Sequence, residues 1–182
     1  YPTSALTQAK SDTTYVRISL ARQDGVNVPK YLAGNSTATI NGTKAESSVE
    51  MKILNAIANL KLNSNGSPIN DMTHIELYSD KNAIQISGDY ELKTLSFNNL
   101  HTGNISVVNA GLDGEARVAM FAGSGLRFGV TPITADGKVY AGINSTVYNI
   151  AGGEEYTISF DCQLQDSEAK IGDYFYSDFT HS

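Results

Sequence analysis

The stretch of residues 126–160 constrains the fold of this chain more than any other. Its first part, LRFGV, and its last part, EYTISF, place apolar residues at every second position, which is typical of half-buried β-strands. Two turn signals, Asp136-Gly137 and Gly152-Gly153, separate the strands, and we expect Gly137 and both glycines of the second pair to adopt positive φ. The stretch therefore predicts three strands joined by two turns.

Similar segments recur along the chain, and nearly all are bounded by Gly, Asn, Asp or Pro. In THIELYS, alternation predicts that Ile75 and Leu77 point inward, and that His74, Glu76 and Tyr78 point outward. Gly88 is expected to end the strand before it. The remaining predicted strands cover residues 14–20, 38–40, 83–87, 91–97, 104–108 and 115–121.

Residues 47–62, SSVEMKILNAIANLKL, fit either of two secondary structures. A helix would have Ser47 or Ser48 as its N-cap and one apolar stripe. A strand would place five apolar residues at alternate positions on one face, namely Leu54, Ala56, Ala58, Leu60 and Leu62. Because the polar residues then occupy the opposite face almost without exception, we favour one long strand with an irregularity near Ile53-Leu54.

Composition narrows the class of protein. The chain has 182 residues, only 18% of them charged, and a net charge of −6 with the basic residues scattered singly. No cationic stripe is available for phosphates, so we expect neither nucleic acid nor an anionic membrane surface as a partner. The lone cysteine, Cys162, cannot form a disulfide within the chain, and we expect it to be a modestly buried strand residue.

We expect no enzymatic activity, metal or cofactor. His74, His101 and His181 have no metal-ligand spacing, and no serine lies in a GxSxG motif. The glycines of AGSGLRFG precede a predicted strand, not the helix that a phosphate loop needs, and therefore indicate a turn or bulge. Four aspartates in separate loops could meet around calcium but lack the spacing of a calcium loop: Asp71, Asp80, Asp89 and Asp113.

The order of the segments over residues 49–162 resembles the fimbrillin-like proteins, surface lipoproteins of anaerobic gut and oral bacteria related to major and minor pilins. The most specific matching pieces are ISG at residues 86–88, DGKVY at 136–140 and GGEEYTI at 152–158. This resemblance implies a transthyretin-like Greek-key β-sandwich of about 7–10 mostly antiparallel strands. We assign the sandwich to residues 1–165 and a tail or linker to residues 166–182. The pilins of this family resemble a pair of such sandwiches, whereas the length and segments of this chain fit a single sandwich.

The resemblance also implies a location and a mechanism. It implies export to the outer membrane surface or a fimbrium, with a lipid-modified cysteine upstream of Tyr1 as the only membrane attachment. The implied partners are other fimbrial subunits, surface proteins, and host or microbial glycans and proteins. Pilins of this kind lose a strand after proteolysis at a basic residue, and a partner's tail fills the groove. Here the candidate displaced strand includes Tyr15, Val16, Ile18 and Leu20, and the candidate cleavage residues are Lys10, Arg22 and Lys30.

The last residues contain an aromatic cluster of Tyr174, Phe175, Tyr176 and Phe179. Exposed aromatic faces bind sugar rings, so Tyr174 and Tyr176 are candidate ligand-stacking residues and a carbohydrate-binding module is the alternative function. The same cluster fits a closing strand or a linker that packs on the sandwich. The stretch GDYFYSD, residues 172–178, also resembles a junction between modules in larger surface proteins of the same bacteria, although Phe179 stands where such junctions have glycine.

Overall fold

A computed structural model describes residues 15–36 and 38–165, which are almost entirely β-structure. Ten of the seventeen described strands have five or more residues, which agrees with the predicted number, and the described residues contain no α-helix. A single 3₁₀ turn spans Asp80–Asn82. The strands are β1 Tyr15–Ser19, β2 Arg22–Gln23, β3 Leu32–Ala33, β4 Thr39–Asn41, β5 Lys44–Glu46, β6 Lys52–Ile53, β7 Asn55–Ser64, β8 Ser67–Pro68, β9 Met72–Ser79, β10 Gln85–Glu91, β11 Ser96–Thr102, β12 Ile105–Leu112, β13 Glu115–Phe121, β14 Gly123–Thr134, β15 Tyr140–Ile150, β16 Glu155–Asp161 and β17 Gln163–Leu164.

Three sheets form the body of the fold. The largest has the order β17-β15-β14-β9-β12-β2. A second has the order β13-β7-β16, with β8 paired to the end of β7, and a third has the order β1-β10-β11. Most pairs are antiparallel, whereas β2 with β12 and β16 with β7 are parallel. The small pairs β3-β6 and β4-β5 complete the described strands.

Two apolar cores hold the sheets together. The main core lies between the six-stranded sheet and the β13-β7-β16 sheet, and its largest fully buried side chains include Phe128 and Phe160. A second core joins the β1-β10-β11 sheet to β13 through Ile18, Tyr90 and Phe121. Two sheets that bury their inner faces against each other make a β-sandwich. The predicted all-β sandwich is thus confirmed.

The segment that fitted either helix or strand is extended. It contains β6 and β7, which are interrupted at Leu54, where the irregularity was predicted. Ala56, Ala58, Leu60 and Leu62 all point into the main core, whereas Leu54, the fifth residue predicted on that face, packs against the second core. The strict alternation of apolar residues therefore decided the structure here, because only a strand buries all four on one face.

The prediction that Gly88 ends its strand is wrong. Gly88 lies in the middle of β10, opposite Ile18 of β1. A Cβ at this position would lie 2.9 Å from Leu100 Cδ2 and 3.0 Å from Phe97 Cδ1. The glycine therefore admits side chains of β11 onto the strand and does not break it.

Tyr78 points away from the main core as predicted, although it is only 5% exposed. One further sequence expectation needs correction. Gly152 does not adopt positive φ; in the turn before β16 only Gly153 does so, with φ +85°, while Gly137 has the expected φ of +82°. One positive-φ residue is enough for that turn.

Cys162 is more deeply buried than predicted. Its side chain is fully enclosed in the main core, and its Sγ approaches the backbone of Gly142 so closely that a Cβ there would lie 2.6 Å away. Burial raises the pKa of the Cys162 thiol to about 12, and the negative charge of Asp161 adds to the effect. The thiol therefore stays protonated at physiological pH.

We expect Cys162 to resist thiol reagents until the chain unfolds. A rise in pKa from 9.0 to about 12 lowers the thiolate fraction near pH 8 by about 10³-fold relative to an unfolded chain. The measurement is the rate of reaction with a chromogenic disulfide in buffer and in concentrated guanidinium chloride. Comparable rates in the two conditions would contradict the buried position.

Candidate functional site: the amino-terminal strap

The predicted exchange segment forms β1, the first part of a strap that we define as residues 15–31. β1 is an edge strand paired only with β10 in the described sheet, antiparallel, with Ile18 opposite Gly88. Ile18 and Leu20 are buried in the second core, and Val16 packs against it. Tyr15 lies on the opposite face of β1, beside Asp89 and Glu91 of β10. The structure thus brings Val16, Ile18 and Leu20 onto one face, but not Tyr15.

The strap then crosses to the six-stranded sheet. Leu20 N still donates to Ile86 O at 2.7 Å, but Ala21 O accepts a hydrogen bond from Ser106 N of β12 at 2.8 Å. β2 continues parallel to β12, with Arg22 and Gln23 aligned to Ser106 and Val107. One short segment therefore occupies the edges of two different sheets.

The side chain of Gln23 extends the same segment to a third edge, that of β13. Its Oε1 accepts from Ala119 N at 2.7 Å, and its Nε2 donates to Ala119 O at 2.9 Å and to Leu20 O at 2.8 Å. Arg117 N, two residues earlier on β13, donates to Gly25 O at 2.7 Å. The amide of Gln23 therefore satisfies the backbone of β13 in the way that a neighbouring strand would.

Gly25 allows the strap to approach the sandwich closely. It has φ +77°, a conformation that side chains with a Cβ rarely adopt. A Cβ would also lie 2.6 Å from Val107 Cγ1 and 3.1 Å from Leu112 Cδ1. Both backbone conformation and space therefore require glycine at this point of the strap.

Asp24 fixes the turn that follows. Its Oδ1 accepts from Val26 N at 2.8 Å and from Asn27 N at 2.7 Å, and its Oδ2 accepts from Asn27 Nδ2. These hydrogen bonds, that from the Asn27 side chain foremost, lower the pKa of Asp24 below its usual value. The Asp24 carbonyl accepts a further bond from Asn109 Nδ2 at 2.8 Å, which ties the turn to β12.

Asn55, at the start of β7, anchors the far end of the strap. Its side chain is 1% exposed. The amide oxygen accepts from Tyr31 N at 2.9 Å, and the amide nitrogen donates to Pro29 O at 2.9 Å and to Ala56 O at 3.2 Å. The sequence analysis did not identify Asn55, Gln23 or Gly25 as functional. Each is one of many Asn, Gln or Gly residues in the chain, and none lies in a motif that would distinguish it.

The predicted cleavage residues lie in different settings. Arg22 is exposed, but the peptide bond after it lies within β2, where the backbone is paired with β12. Lys30 is exposed in the loop between β2 and β3, and its Nζ lies 3.8 Å from Glu155 Oε1. Lys10 lies outside the described residues. The peptide bond after Lys30 is also held, because Tyr31 N donates to the buried Asn55 Oδ1.

The candidate ligand-stacking residues, Tyr174 and Tyr176, lie outside the described residues, as does His181. His74 Nε2 lies 3.0 Å from Glu76 Oε1, and His101 is exposed on β11. Residues 15–36 and 38–165 contain no group of three or more His, Cys, Asp or Glu that could hold a metal ion. No helix in that part of the chain is long and apolar enough to span a membrane.

A polar cleft of about 590 Å³ lies beside the β4-β5 hairpin. Its walls carry hydroxyl, amide and charged groups but no aromatic ring among the described residues. They are Thr39, Asn41, Lys44, Glu46, Ser47 and Ser48.

Comparison with known proteins shows the fold of this chain. No protein-family model matches the chain, and no curated protein sequence matches it significantly. A crystal structure from Bacteroides uniformis, described as a "putative cell adhesion protein", superimposes with a TM-score of 0.50 and 12% identity over 88% of this chain and 69% of that one. A second protein of that description, from Bacteroides ovatus, gives a TM-score of 0.41 and 15% identity, over 65% of this chain and 46% of its own. At this level of identity the first similarity establishes a shared fold.

Proposed function

We propose that this chain is a cell-surface structural or adhesive protein, either a fimbrial subunit or an adhesin module tethered to the outer membrane. We further propose that it assembles with other subunits by exchange of the amino-terminal strap. The observation that carries the proposal is that the strap completes the edges of β10, β12 and β13 at once. The fold shared with a protein described as a cell adhesion protein supports the surface role.

Loss of the strap would open a groove lined by unpaired backbone. The N–H groups of Ser106 and Arg117, and both backbone groups of Ala119, would lose their partners, together with the β10 ladder opposite β1. An unpaired strand edge is a template for another strand, because the added strand satisfies the same hydrogen bonds. The groove therefore fits an extended segment of a partner chain.

The side chains of the strap explain which segments would fit. Ile18 and Leu20 are almost completely buried, whereas Arg17 and Ser19, which precede them in turn, are exposed. A donor strand needs apolar side chains at the two alternate positions and tolerates polar ones elsewhere. Specificity would come from the shapes of the two pockets, and affinity from the backbone ladder.

Location is tested first by immunogold electron microscopy of intact producing cells, with a deletion strain as control. Gold along filaments supports a fimbrial subunit, and gold confined to the outer membrane supports a tethered adhesin. Absence of gold from the surface would overturn the surface role.

Exchange is tested with the chain cleaved in vitro. Limited trypsin digestion is expected to cut after Lys30, whose side chain is exposed, when the hydrogen bond from Tyr31 N to Asn55 opens, and mass spectrometry identifies the cut. The cleaved chain should then bind a fluorescent peptide copy of residues 14–28, measured by anisotropy, because the covalent strap has become a dissociable one. Intact chain should bind it far more slowly.

Two controls make the exchange experiment specific. A peptide carrying Ile18→Asp and Leu20→Asp keeps the backbone but cannot fill the apolar pockets, so its binding should be lost. A Lys30→Gln chain treated with trypsin tests whether that cut is required. Strap exchange would be excluded if the native and the substituted peptide bound equally well. It would also be excluded if the native peptide did not bind to the cleaved chain after refolding with excess peptide.

A second function, binding of carbohydrate, is favoured only by the polar cleft beside the β4-β5 hairpin. Its hydroxyl and amide groups are of the kind that bind sugar hydroxyls. A glycan-binding screen tests this, with Asn41→Ala for the cleft and Tyr174→Ala or Tyr176→Ala for the proposed stacking residues. Saturable binding lost in one of these variants would assign the site.

A further inference from the structure

The chain between the strap and β7 forms one long hairpin that we call the arm, residues 32–36 and 38–53. Its base is the β3-β6 pair, in which Ala33 lies opposite Lys52, and its outer part is the β4-β5 pair, in which Thr39 lies opposite Glu46. The same step of six residues separates the two pairs on both sides of the hairpin. The outer pair therefore continues the register of the base.

Two contacts in the middle of the arm follow the same register. A Cβ at Gly34 would lie 2.8 Å from Met51 Sδ, as expected for residues that face each other across the hairpin. Ser47 Oγ donates to Ser36 Oγ at 2.6 Å, a diagonal contact between side chains on one face. Alternation thus divides the side chains of the arm between two faces.

The two faces differ in character. The polar face lines the cleft beside the β4-β5 hairpin and a second polar cleft of about 440 Å³ next to Leu95. The apolar face is open to solvent. Its large side chains are Leu32 at 49% exposure, Met51 at 50%, Val49 at 54% and Ile40 at 72%. Large apolar side chains grouped on one exposed face mark an interaction surface.

The order of large and small residues along the apolar face is self-complementary. From base to tip the face presents Leu32, Met51, Val49, the small Ala38 and Ile40. When two arms lie face to face in opposite directions, Val49 meets its own copy at the centre. Met51 then meets Ala38, and large residues opposite small ones interdigitate well. Leu32 at the base meets Ile40 near the tip. Contact of a residue with its own copy is the property of a two-fold axis.

Charge also favours a second copy of this chain as the occupant. The whole chain has a net charge of −6, but the arm carries two lysines and two glutamates and is neutral. Two acidic chains repel each other over most of their surface, and the arm lets them meet without that repulsion. A membrane surface fits less well, because amphipathic segments that bind lipid are rich in basic residues.

We propose that the arm is a self-association surface, through which two uncleaved copies of this chain stack their apolar faces in opposite directions. The contact is separate from the strap and needs no cleavage. The apolar face is about 30 Å long and two strands wide, on the order of 300 Å² per copy. Because a stable complex buries roughly 800 Å² per partner, we expect a weak dimer with a Kd on the order of 100 μM. Chains held side by side reach millimolar effective concentrations, at which such a contact forms.

Cysteine crosslinking tests the arrangement of the two copies. In Val49→Cys the two thiols lie at the two-fold axis, so a short bis-maleimide should join two chains in high yield. Ser48→Cys is the matched control, because residue 48 is also exposed but lies on the polar face. Its crosslinking should stay at the level of the unsubstituted chain, whose Cys162 is buried.

Sedimentation equilibrium of the uncleaved chain between about 10 μM and 1 mM measures the affinity. Ile40→Asp should raise the Kd about tenfold or more, because each dimer would then bury two carboxylates against apolar side chains. Thr39→Asp adds the same charge on the polar face and should change the Kd by less than about threefold, since salt screens exposed charges.

Several outcomes would overturn the proposal. They are a monomer at every concentration, equal crosslinking of the two cysteine variants, and equal weakening by the two aspartate substitutions. Binding of a monomer to phosphatidylcholine vesicles that is lost in Ile40→Asp would assign the apolar face to a membrane instead. A complex that forms only after cleavage at Lys30 would belong to strap exchange and not to the arm.

Discussion

Asn55→Ala is expected to lower the free energy of unfolding by about 2–4 kcal/mol, because it leaves two inward-facing backbone groups without partners. The Asn55 amide accepts from Tyr31 N and donates to Pro29 O, and the side chain is almost fully buried. Alanine can replace neither hydrogen bond. Urea denaturation followed by circular dichroism measures the loss.

Asn59→Ala is the matched control for this prediction. Asn59 lies on the same strand, and its amide oxygen accepts from the exposed Arg117 Nε at 3.0 Å. We expect a change within about 0.5 kcal/mol. Asn55→Asp separates the two halves of the anchor, since it keeps an acceptor for Tyr31 N but cannot donate to Pro29 O. Equal losses at positions 55 and 59 would show that Asn55 does not anchor the strap.

β13 and β7 could be predicted because each carries an alternation of apolar residues. β13 begins and ends where the pattern of EARVAMF does, and β7 buries four of the five residues that the sequence placed on one face. The predicted strand 91–97 is wrong, because residues 92–95 form the turn between β10 and β11. Burial on one face and exposure on the other is a local property, so it is visible in the order of residues alone.

Other features depend on distant partners and leave no local signal. Gly88 looked like a strand end, but side chains of β11 need its missing Cβ. Tyr78 points outward as predicted, yet it is buried, and its ring lies against Gly129 of the neighbouring strand β14. Both features depend on a neighbouring strand, and period-two alternation within one strand contains no information about it.

The candidate site shows the same division. The apolar positions Ile18 and Leu20 were predicted from alternation, and the structure buries both. The residues that attach the strap to the sandwich were not predicted, since Gln23 contacts Ala119 across 96 residues of sequence. A polar side chain that bonds to the backbone of a remote strand is recognisable only after the strands are placed.

Gln23→Glu is expected to destabilise the folded chain by about 2–4 kcal/mol at pH 7. The Gln23 amide nitrogen donates to the carbonyls of Leu20 and Ala119, and a carboxylate would place negative charge against both oxygens. Only the hydrogen bond from Ala119 N survives the change. The control is Gln163→Glu, which makes the same change of charge at an exposed position on β17 and should be nearly neutral.

The loss of stability in Gln23→Glu should depend on pH, and the direction of this dependence identifies its cause. Two facing carbonyls favour the protonated carboxyl, so its folded-state pKa lies above the unfolded value of about 4.3. The destabilisation is complete above the folded-state pKa and shrinks as pH falls through it, because the folded chain then binds a proton that the unfolded chain does not. Unfolding midpoints of the two variants between pH 4.5 and 8 measure this. If the strap is exchanged in assembly, Gln23→Glu should also speed uptake of the strap peptide by uncleaved chain at pH 7, and acid should slow it again. A pH-independent loss would mean that Gln23 contributes packing alone.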